Sequence, residues 1–272
     1  MALIQCSFFS QSLCFGTDIH VIIPTPNSDE LLNKKESSYF FRGAKFQVLY
    51  LLHGAYGDYS DWLRWSNIEK YAAAHRLIVV MPSAANSFYQ DMYCGSDYLT
   101  YLTGELPAFV NAMFPVSRKR ENTFVAGLSM GGYGALKLGF ERPEMFSACI
   151  SLSGAIDMIG VYEDIQKGMI QGPFYWEGIF KNPKEITGTD ADLITLYEKR
   201  KREGCKMPRV FQSCGTEDFI YKRNQTAKKM LEEAGVDLTY EEHPGIHDWD
   251  YWDMHIKRAI EWLPLSDQAV SE

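Results

Sequence analysis

Residues 127–131 read Gly-Leu-Ser-Met-Gly and could supply a nucleophilic hydroxyl. An apolar run at 123–126 precedes the motif, and a helical pattern begins near Met130. A serine at such a strand-to-helix turn exposes its hydroxyl, the flanking glycines let strand and helix approach closely, and the helix N-terminus adds a positive dipole. This context favours a nucleophilic Ser129 over the alternative, a glycine-rich turn with a passive serine.

A serine nucleophile needs a base, which in proteins with this turn is a histidine late in the chain, after an acidic residue. Three histidines follow Ser129. His255 falls inside the last predicted helix, and His243 precedes Pro-Gly at a strand end, where a plain polar role is expected. His247 lies in the loop between the last strand and the last helix, which makes it the predicted base.

The acid that orients this base is expected at the carboxyl end of a strand. The apolar run at 209–213 is followed closely by Glu217 and Asp218, and Asp157 stands just past an earlier run. We favour Asp218, with Glu217 as the main alternative and Asp157 as a rival.

A tetrahedral oxyanion needs two hydrogen-bond donors. The backbone N–H of Met130, next to the nucleophile, is one candidate. The loop at 53–57, His-Gly-Ala-Tyr-Gly, follows the first buried strand, and its Ala55 N–H is the second. We expect the imidazole of His53 to pack against the site without taking part in proton transfer.

The elements around these residues alternate between short apolar runs and helical patterns, which predicts an α/β fold with a doubly wound, mostly parallel sheet. The first 45 residues instead suggest antiparallel strands and a loop. The predicted buried strands cover 47–52, 77–81, 123–128, 146–152, 209–213 and 237–241, and the predicted helices cover 61–75, 99–113, 130–141, 224–234 and 249–263.

Residues 155–205 contain no clear sheet strand. We interpret them as a cap insertion within a single domain spanning 1–272, because insertions at the carboxyl ends of strands lie over the site in open α/β folds. The adjacent rings of Phe174, Tyr175 and Trp176 are candidates for an apolar substrate-binding pocket; the alternative is that they only anchor the cap to the body.

Composition narrows the functional classes. The chain has 272 residues, 46% hydrophobic, and a net charge of −8, which is typical of a globular protein and argues against nucleic acid and anionic membranes as partners. No apolar stretch is long enough to span a bilayer, and the N-terminus has no signal-peptide pattern. The six cysteines show neither a C-x-x-C pair nor zinc spacing, so a reducing cytoplasm is expected.

Four segments together resemble the esterase D family of α/β-hydrolases, most closely its tributyrin esterase branch. The segments are 51–54 (Leu-Leu-His-Gly), 127–132 (Gly-Leu-Ser-Met-Gly-Gly), 214–219 (Cys-Gly-Thr-Glu-Asp-Phe) and 247–252 (His-Asp-Trp-Asp-Tyr-Trp). Residues 87–93 also resemble the mycolyltransferase antigens and feruloyl esterase domains of the wider family. Residues 27–43 form a longer connection than is typical.

This resemblance implies a serine carboxylesterase that hydrolyses short-chain acyl esters without a cofactor or metal. It implies Ser129, Asp218 and His247 as the catalytic residues, with Ala55 and Met130 as the oxyanion hole. The alternatives are a feruloyl or other hydroxycinnamoyl esterase, a thioester hydrolase acting on S-formylglutathione and, against an intact set of catalytic residues, a binding protein on an inert hydrolase fold. The expected partner is a small-molecule ester; a homo-oligomer is left open.

Overall fold

The computed structural model of the chain describes residues 1–26, 32, 43–170, 175–266 and 270. The long connection at 27–43 therefore lies almost entirely outside the described residues. Eight strands form one sheet in the order β1-β2-β4-β3-β5-β6-β7-β8. In chain order they are β1 (Ala2–Ser10), β2 (Phe15–Ile23), β3 (Val48–Leu52), β4 (Ile78–Pro82), β5 (Thr123–Leu128), β6 (Ala148–Leu152), β7 (Arg209–Gly215) and β8 (Leu238–His243).

The sheet confirms the predicted mixture of strand directions. β1 pairs antiparallel with β2, and β2 pairs antiparallel with β4. All the pairings from β4 across to β8 are parallel. The central strands β3 and β5 are buried along their whole length, which explains why their sequences are continuously apolar rather than alternating.

Helices cover both faces of the sheet, as expected for a doubly wound fold. The helices are α1 (Asp61–Trp65), α2 (Ile68–Ala74), α3 (Tyr98–Thr100), α4 (Leu106–Met113), α5 (Met130–Glu141), α6 (Met158–Gln166), α7 (Trp176–Phe180), α8 (Leu193–Arg202), α9 (Tyr221–Glu233) and α10 (Trp249–Trp262). The apolar side chains of α1, α2 and α10 pack on one face, and those of α4, α5 and α9 pack on the other. A π-helical turn, Tyr101–Glu105, joins α3 to α4. In the described part of the chain, no helix is long and apolar enough to cross a membrane.

The strand order places a topological switch at β3. The chain passes from β3 to its neighbour β4 on one side, and then returns to β5 on the other side of β3. In open α/β sheets the crevice at the carboxyl ends of such strands is where ligands bind. The segments that leave β3 and β5 at this edge are the loop at 53–57 and the turn at Ser129.

Two glycines allow β5, α5 and the end of β3 to meet. A Cβ built on Gly127 would overlap the backbone of Gly131. A Cβ on Gly131 would lie only 2.5 Å from the carbonyl oxygen of His53 and 2.7 Å from that of Leu52. The backbone therefore has no room for a side chain at either position, which explains the two glycines that flank the motif.

In its described residues, 155–170 and 175–205, the insertion segment contributes no strand to the sheet. Its first helix, α6, is tied to α9 by Arg223, whose guanidinium pairs with Asp157 at 3.2 Å and with Asp164 at 2.6 Å. Farther along, α8 packs against α5, where the rings of Phe140 and Tyr197 meet at 5.1 Å. The segment is thus fastened to the main body at both ends.

We predict that Gly127→Ala lowers the free energy of unfolding by about 3 kcal/mol, because the new methyl group has to displace the backbone of α5. Thermal denaturation followed by circular dichroism measures the change. Gly104→Ala is the matched control: nothing lies within 4 Å of a Cβ at Gly104, so it should be neutral or slightly stabilising. Equal melting temperatures for the two variants would contradict this view of the turn.

Candidate active site

Ser129 sits between β5 and α5 in a backbone conformation that is rare for residues other than glycine, with φ at 54° and ψ at −118°. Its N–H donates to the carbonyl of Leu152 at 2.8 Å, and its carbonyl accepts from the N–H of Ala155 at 3.2 Å. Both partners belong to the β6 side of the sheet. These bonds hold the unusual turn and leave the side chain directed into the cleft that Ser129 lines.

The structure brings Ser129, His247 and Asp218 together in a hydrogen-bonded chain. The Ser129 hydroxyl lies 3.0 Å from Nε2 of His247. Nδ1 of His247 lies 2.8 Å from Oδ2 and 3.0 Å from Oδ1 of Asp218, whose side chain is fully buried. Because a carboxylate only accepts, Nδ1 carries the proton and Nε2 is left as the acceptor for the serine hydroxyl.

The carboxylate of Glu217, the alternative acid, accepts hydrogen bonds from groups other than the imidazole of His247. Its Oε2 accepts from the N–H of Gly245 at 2.6 Å, and its Oε1 accepts from the Thr216 hydroxyl at 2.8 Å. The hydrogen bond from Gly245 is the main reason why the pKa of Glu217 is lowered. Glu217 therefore holds the loop that carries His247 and does not meet the imidazole.

Asp157, the other candidate for the acid, caps a helix and forms an ion pair instead. It is the N-cap of α6, where its Oδ1 accepts from the N–H of Gly160 at 3.0 Å, and it shares the guanidinium of Arg223. A carboxylate at a helix N-terminus is stabilised by the unpaired N–H groups there. Asp157 thus stabilises the start of α6 and ties it to α9, and α6 forms one wall of the cleft.

The other two histidines that follow Ser129, His243 and His255, lie next to each other, with ring centroids 4.9 Å apart. Glu241, His243 and His255 bring potential ligand atoms within 4.8 Å of one another, a spacing compatible with a metal ion. The Glu241 carboxylate, however, already pairs with Arg258 at 2.8 and 3.1 Å. Burial lowers the pKa of His255 to about 4, and its Nδ1 bonds to the Ser213 hydroxyl at 3.1 Å. We therefore interpret the cluster as packing and ion pairing.

His53 is buried and fixes the loop that follows β3. Its Nε2 accepts from the N–H of Ala84 at 2.9 Å, so Nδ1 carries the proton and donates to the carbonyl of Gly54 at 2.7 Å. Burial lowers the pKa of His53, which favours this neutral form. The Tyr89 hydroxyl donates to the His53 carbonyl at 2.7 Å. The imidazole thus shapes the backbone beside Ser129.

Ala55 lies in the loop after β3, and Met130 is the first residue of α5, directly after Ser129. Both residues line the cleft that contains Ser129 and His247. Among the described residues, neither N–H has a hydrogen-bond acceptor. Met130 opens α5, where the first N–H groups of a helix lack partners within the helix. Two unpaired donors next to a serine hydroxyl form a suitable site for a negatively charged oxygen.

The cleft has a volume of about 300 Å³ and is lined mainly by apolar side chains. Sequence reasoning did not identify most of this lining, because it comes from turns and helix faces that only the folded chain brings together. The side chains of α6 and its following turn form one wall, while Phe219 and Trp252 contact His247 and Trp249 packs against Trp252. The residues of these two groups are Val161, Ile165, Ile170, Phe219, Trp249 and Trp252.

The structure does not place the candidate rings of the cap directly in this cleft. Trp176 is buried behind Phe88, which does line the cleft, with the two ring centroids 5.0 Å apart. Tyr175 is 65% exposed and does not belong to the described lining, and Phe174 lies outside the described residues. In this geometry Trp176 supports Phe88 from behind, so the cleft-facing ring is Phe88.

The mixed sheet, the turn at Ser129 and the hydrogen bonds that join Ser129, His247 and Asp218 together define an α/β-hydrolase of the serine hydrolase class. The family model named Esterase, described as "Putative esterase", matches residues 37–263, and the chain belongs to this family.

Individual relatives cover almost the whole chain. An acetyl esterase of Caldicellulosiruptor saccharolyticus is 35% identical over 97% of this chain and 98% of its own. The structure is similar to that of the substrate-bound fluorophosphonate-binding serine hydrolase F of Staphylococcus aureus, with a TM-score of 0.83 and 32% identity over 96% and 98% of the two chains. It also resembles an S-formylglutathione hydrolase of the same organism, with a TM-score of 0.80 and the same identity and coverage. These relatives support ester hydrolysis as the general activity.

We predict that Asp218→Asn reduces kcat by about 10⁴-fold, because the amide favours the wrong tautomer of His247. Glu217→Gln, the matched control one residue away, should change kcat far less. Steady-state hydrolysis of 4-nitrophenyl acetate by both folded variants provides the measurement. The opposite order of effects would assign the acid to Glu217.

Proposed function

We propose that the protein is a serine carboxylesterase that hydrolyses short-chain acyl esters through an acyl-enzyme. The observation that carries the proposal is the chain of contacts from the Ser129 hydroxyl to His247 at 3.0 Å and from His247 to Asp218 at 2.8 Å. In this proposal Ser129 is the nucleophile, His247 is the general base and Asp218 holds the required tautomer.

Acylation begins when the Ser129 oxygen attacks the ester carbonyl while Nε2 of His247 takes the hydroxyl proton. The carbonyl oxygen becomes negatively charged, and the N–H groups of Ala55 and Met130 stabilise it. The imidazolium then gives its proton to the oxygen of the leaving alcohol as the carbon–oxygen bond breaks. The alcohol departs, and the acyl group remains on Ser129.

Deacylation repeats these steps with water as the nucleophile. His247 takes a proton from water as its oxygen attacks the acyl carbonyl, and it returns the proton to Ser129 as the acid is released. Every proton passes through Nε2 of one imidazole. The buried carboxylate of Asp218 stabilises the imidazolium each time it forms.

The size and lining of the cleft support a short acyl chain. The wall formed by Val161, Ile165 and Ile170 of α6 and its following turn is apolar. The rings of Phe219 and Trp252 contact the imidazole of His247, with ring centroids 4.5 and 4.9 Å apart. The alcohol must leave beside the group that protonates it. We therefore assign the α6 wall to the acyl chain and the His247 side to the alcohol.

Within the esterase family we propose membership of the esterase D group and its tributyrin esterase branch, on the four motifs described above. A thioester hydrolase acting on S-formylglutathione is the second candidate, favoured by the similarity to the staphylococcal enzyme with that name. A feruloyl esterase would need a ring-binding acyl site, for which Phe88 is the nearest described aromatic side chain. An ester panel of acetate, butyrate, octanoate, methyl ferulate and S-formylglutathione separates these candidates.

Six free cysteines support a reducing compartment such as the cytoplasm as the place of action. The partner we propose is a small neutral ester. No cofactor is required by the mechanism, because each step uses only side-chain and backbone groups of the chain itself.

We predict that Ser129→Ala lowers kcat for 4-nitrophenyl acetate by on the order of 10³-fold or more while the melting temperature stays close to that of the unaltered protein. The unaltered protein should react covalently with a fluorophosphonate probe, and Ser129→Ala should not. Hydrolysis near the unaltered rate by the folded variant would exclude Ser129 as the nucleophile.

We predict that Ile165→Phe reduces kcat/KM for butyrate relative to acetate esters by about tenfold, since the larger side chain shortens the acyl wall. Ile194→Phe, a half-buried isoleucine of α8 that does not line the cleft, should leave this ratio unchanged. Trp176→Ala should instead lower the melting temperature and slow all esters alike, because Trp176 packs behind Phe88. A selective effect of Trp176→Ala would show that the cap tryptophan reaches the acyl chain.

A further inference from the structure

Asp61 is a charged group in the cleft that the reaction sequence above does not use. It is the only acidic side chain among the described residues that line the cleft. Within the described part of the chain its carboxylate forms no ion pair, and its hydrogen-bond donor is the backbone N–H of Asp58. A partly buried carboxylate with acceptor capacity left over beside a reactive centre is a candidate functional group, because its burial is only partly compensated.

The surroundings of Asp61 keep its carboxylate over the loop at 53–57. Its Oδ2 occupies the place where a Cβ on Gly57 would stand, so the glycine makes room for the carboxylate. Burial raises the pKa of Asp61 and the charge of Asp58 adds to this effect, whereas a hydrogen bond from the Asp58 backbone and the charge of Arg64 oppose it. The guanidinium of Arg64 is bonded to the hydroxyl of Ser60.

Asp61 lines the same cleft as Trp249 and His247, and ring contacts join its neighbour in the chain to the general base. The ring of its neighbour Trp62 packs edge to face against that of Trp249, with centroids 5.1 Å apart. The rings of Trp249 and Trp252 have centroids 5.4 Å apart. Trp252 in turn contacts the imidazole of His247 at 4.9 Å. Since His247 protonates the leaving alcohol, this row of rings connects Asp61 with the alcohol half of the substrate rather than with the acyl wall on α6.

We propose that Asp61 selects the alcohol half of the ester: its carboxylate accepts a hydrogen bond from a free hydroxyl next to the ester and rejects alcohols that carry a carboxylate. The preferred substrates are then partial esters of neutral polyols. This inference rests on the proposed esterase function and adds a specificity-determining residue to it.

Two physical effects support this selectivity. A hydrogen bond to a charged acceptor is roughly twice as strong as one between neutral groups, so an alcohol with a second hydroxyl gains affinity. Two negative charges in a cleft sheltered from water repel each other more strongly than in bulk solvent. The same repulsion would act on the two carboxylates of a glutathione thioester if either entered the alcohol side, which favours the esterase over the thioester hydrolase.

Two pairs of acetate esters of similar size test the proposal through ratios of kcat/KM. Acetoxyacetamide and acetoxyacetate differ in the charge of the alcohol half, and 2-hydroxyethyl acetate and propyl acetate differ in one hydroxyl. We expect the unaltered enzyme to prefer the amide and the hydroxyl ester, each by about tenfold. Asp61→Asn should reduce the first preference to within about threefold, and Asp61→Leu should abolish the second.

Asp58→Asn is the matched control, since it removes an equal charge three residues away from a side chain that does not line the cleft. It should leave both ratios unchanged. If both ratios persist in Asp61→Asn and Asp61→Leu while the variants still hydrolyse 4-nitrophenyl acetate, the role of Asp61 is overturned and the proposed function stands. If Asp61→Leu does not fold, the charge pair in Asp61→Asn decides the question. Absence of ester hydrolysis by the unaltered protein would instead overturn the proposed function itself.

Discussion

The close meeting of three backbone segments at Ser129 is the constraint on which the site depends. β5 ends, α5 begins and the loop after β3 passes within a distance that leaves no room for a Cβ on Gly127 or Gly131. The serine at the centre takes a φ of 54°, held by hydrogen bonds to the β6 side. Strain of this kind persists only where the surrounding structure fixes it. The proposed nucleophile and one proposed oxyanion donor are thereby positioned by the same contact.

A second pair of loops positions His247 and Asp218, the proposed base and acid. Gly215 and Gly245 approach so closely that a side chain on Gly215 would overlap the Gly245 backbone, and Glu217 closes this junction by accepting from the Gly245 N–H. Asp218 and His247 follow on the two loops, so their hydrogen bond joins elements that are already held together. Glu217 thus serves the site through the backbone, next to the residue whose carboxylate meets the imidazole.

The sequence was sufficient to predict the strands, the turn at Ser129 and the three polar residues that meet there, because each depends on local pattern and chain order. The choice between Asp218 and Glu217 depended on the direction of each side chain after β7, which a sequence does not contain. The sequence left two roles open for Trp176, lining the pocket or anchoring the cap, because it does not show what the ring packs against; in the structure the ring packs against Phe88. In the sequence Asp61 is only the first residue of a predicted helix, and the folded structure is needed to show that it lines the same cleft as His247.

The central claim is that an acyl group passes through Ser129, and peptide mapping of an acid-quenched reaction tests it most directly. The protein is mixed with excess 4-nitrophenyl acetate, quenched within the first turnovers, digested and analysed by mass spectrometry. The account predicts an acetyl group on the peptide that contains Ser129, in an amount equal to the initial burst of 4-nitrophenol. Acetylation at another residue, or a burst with Ser129 unmodified, would contradict it.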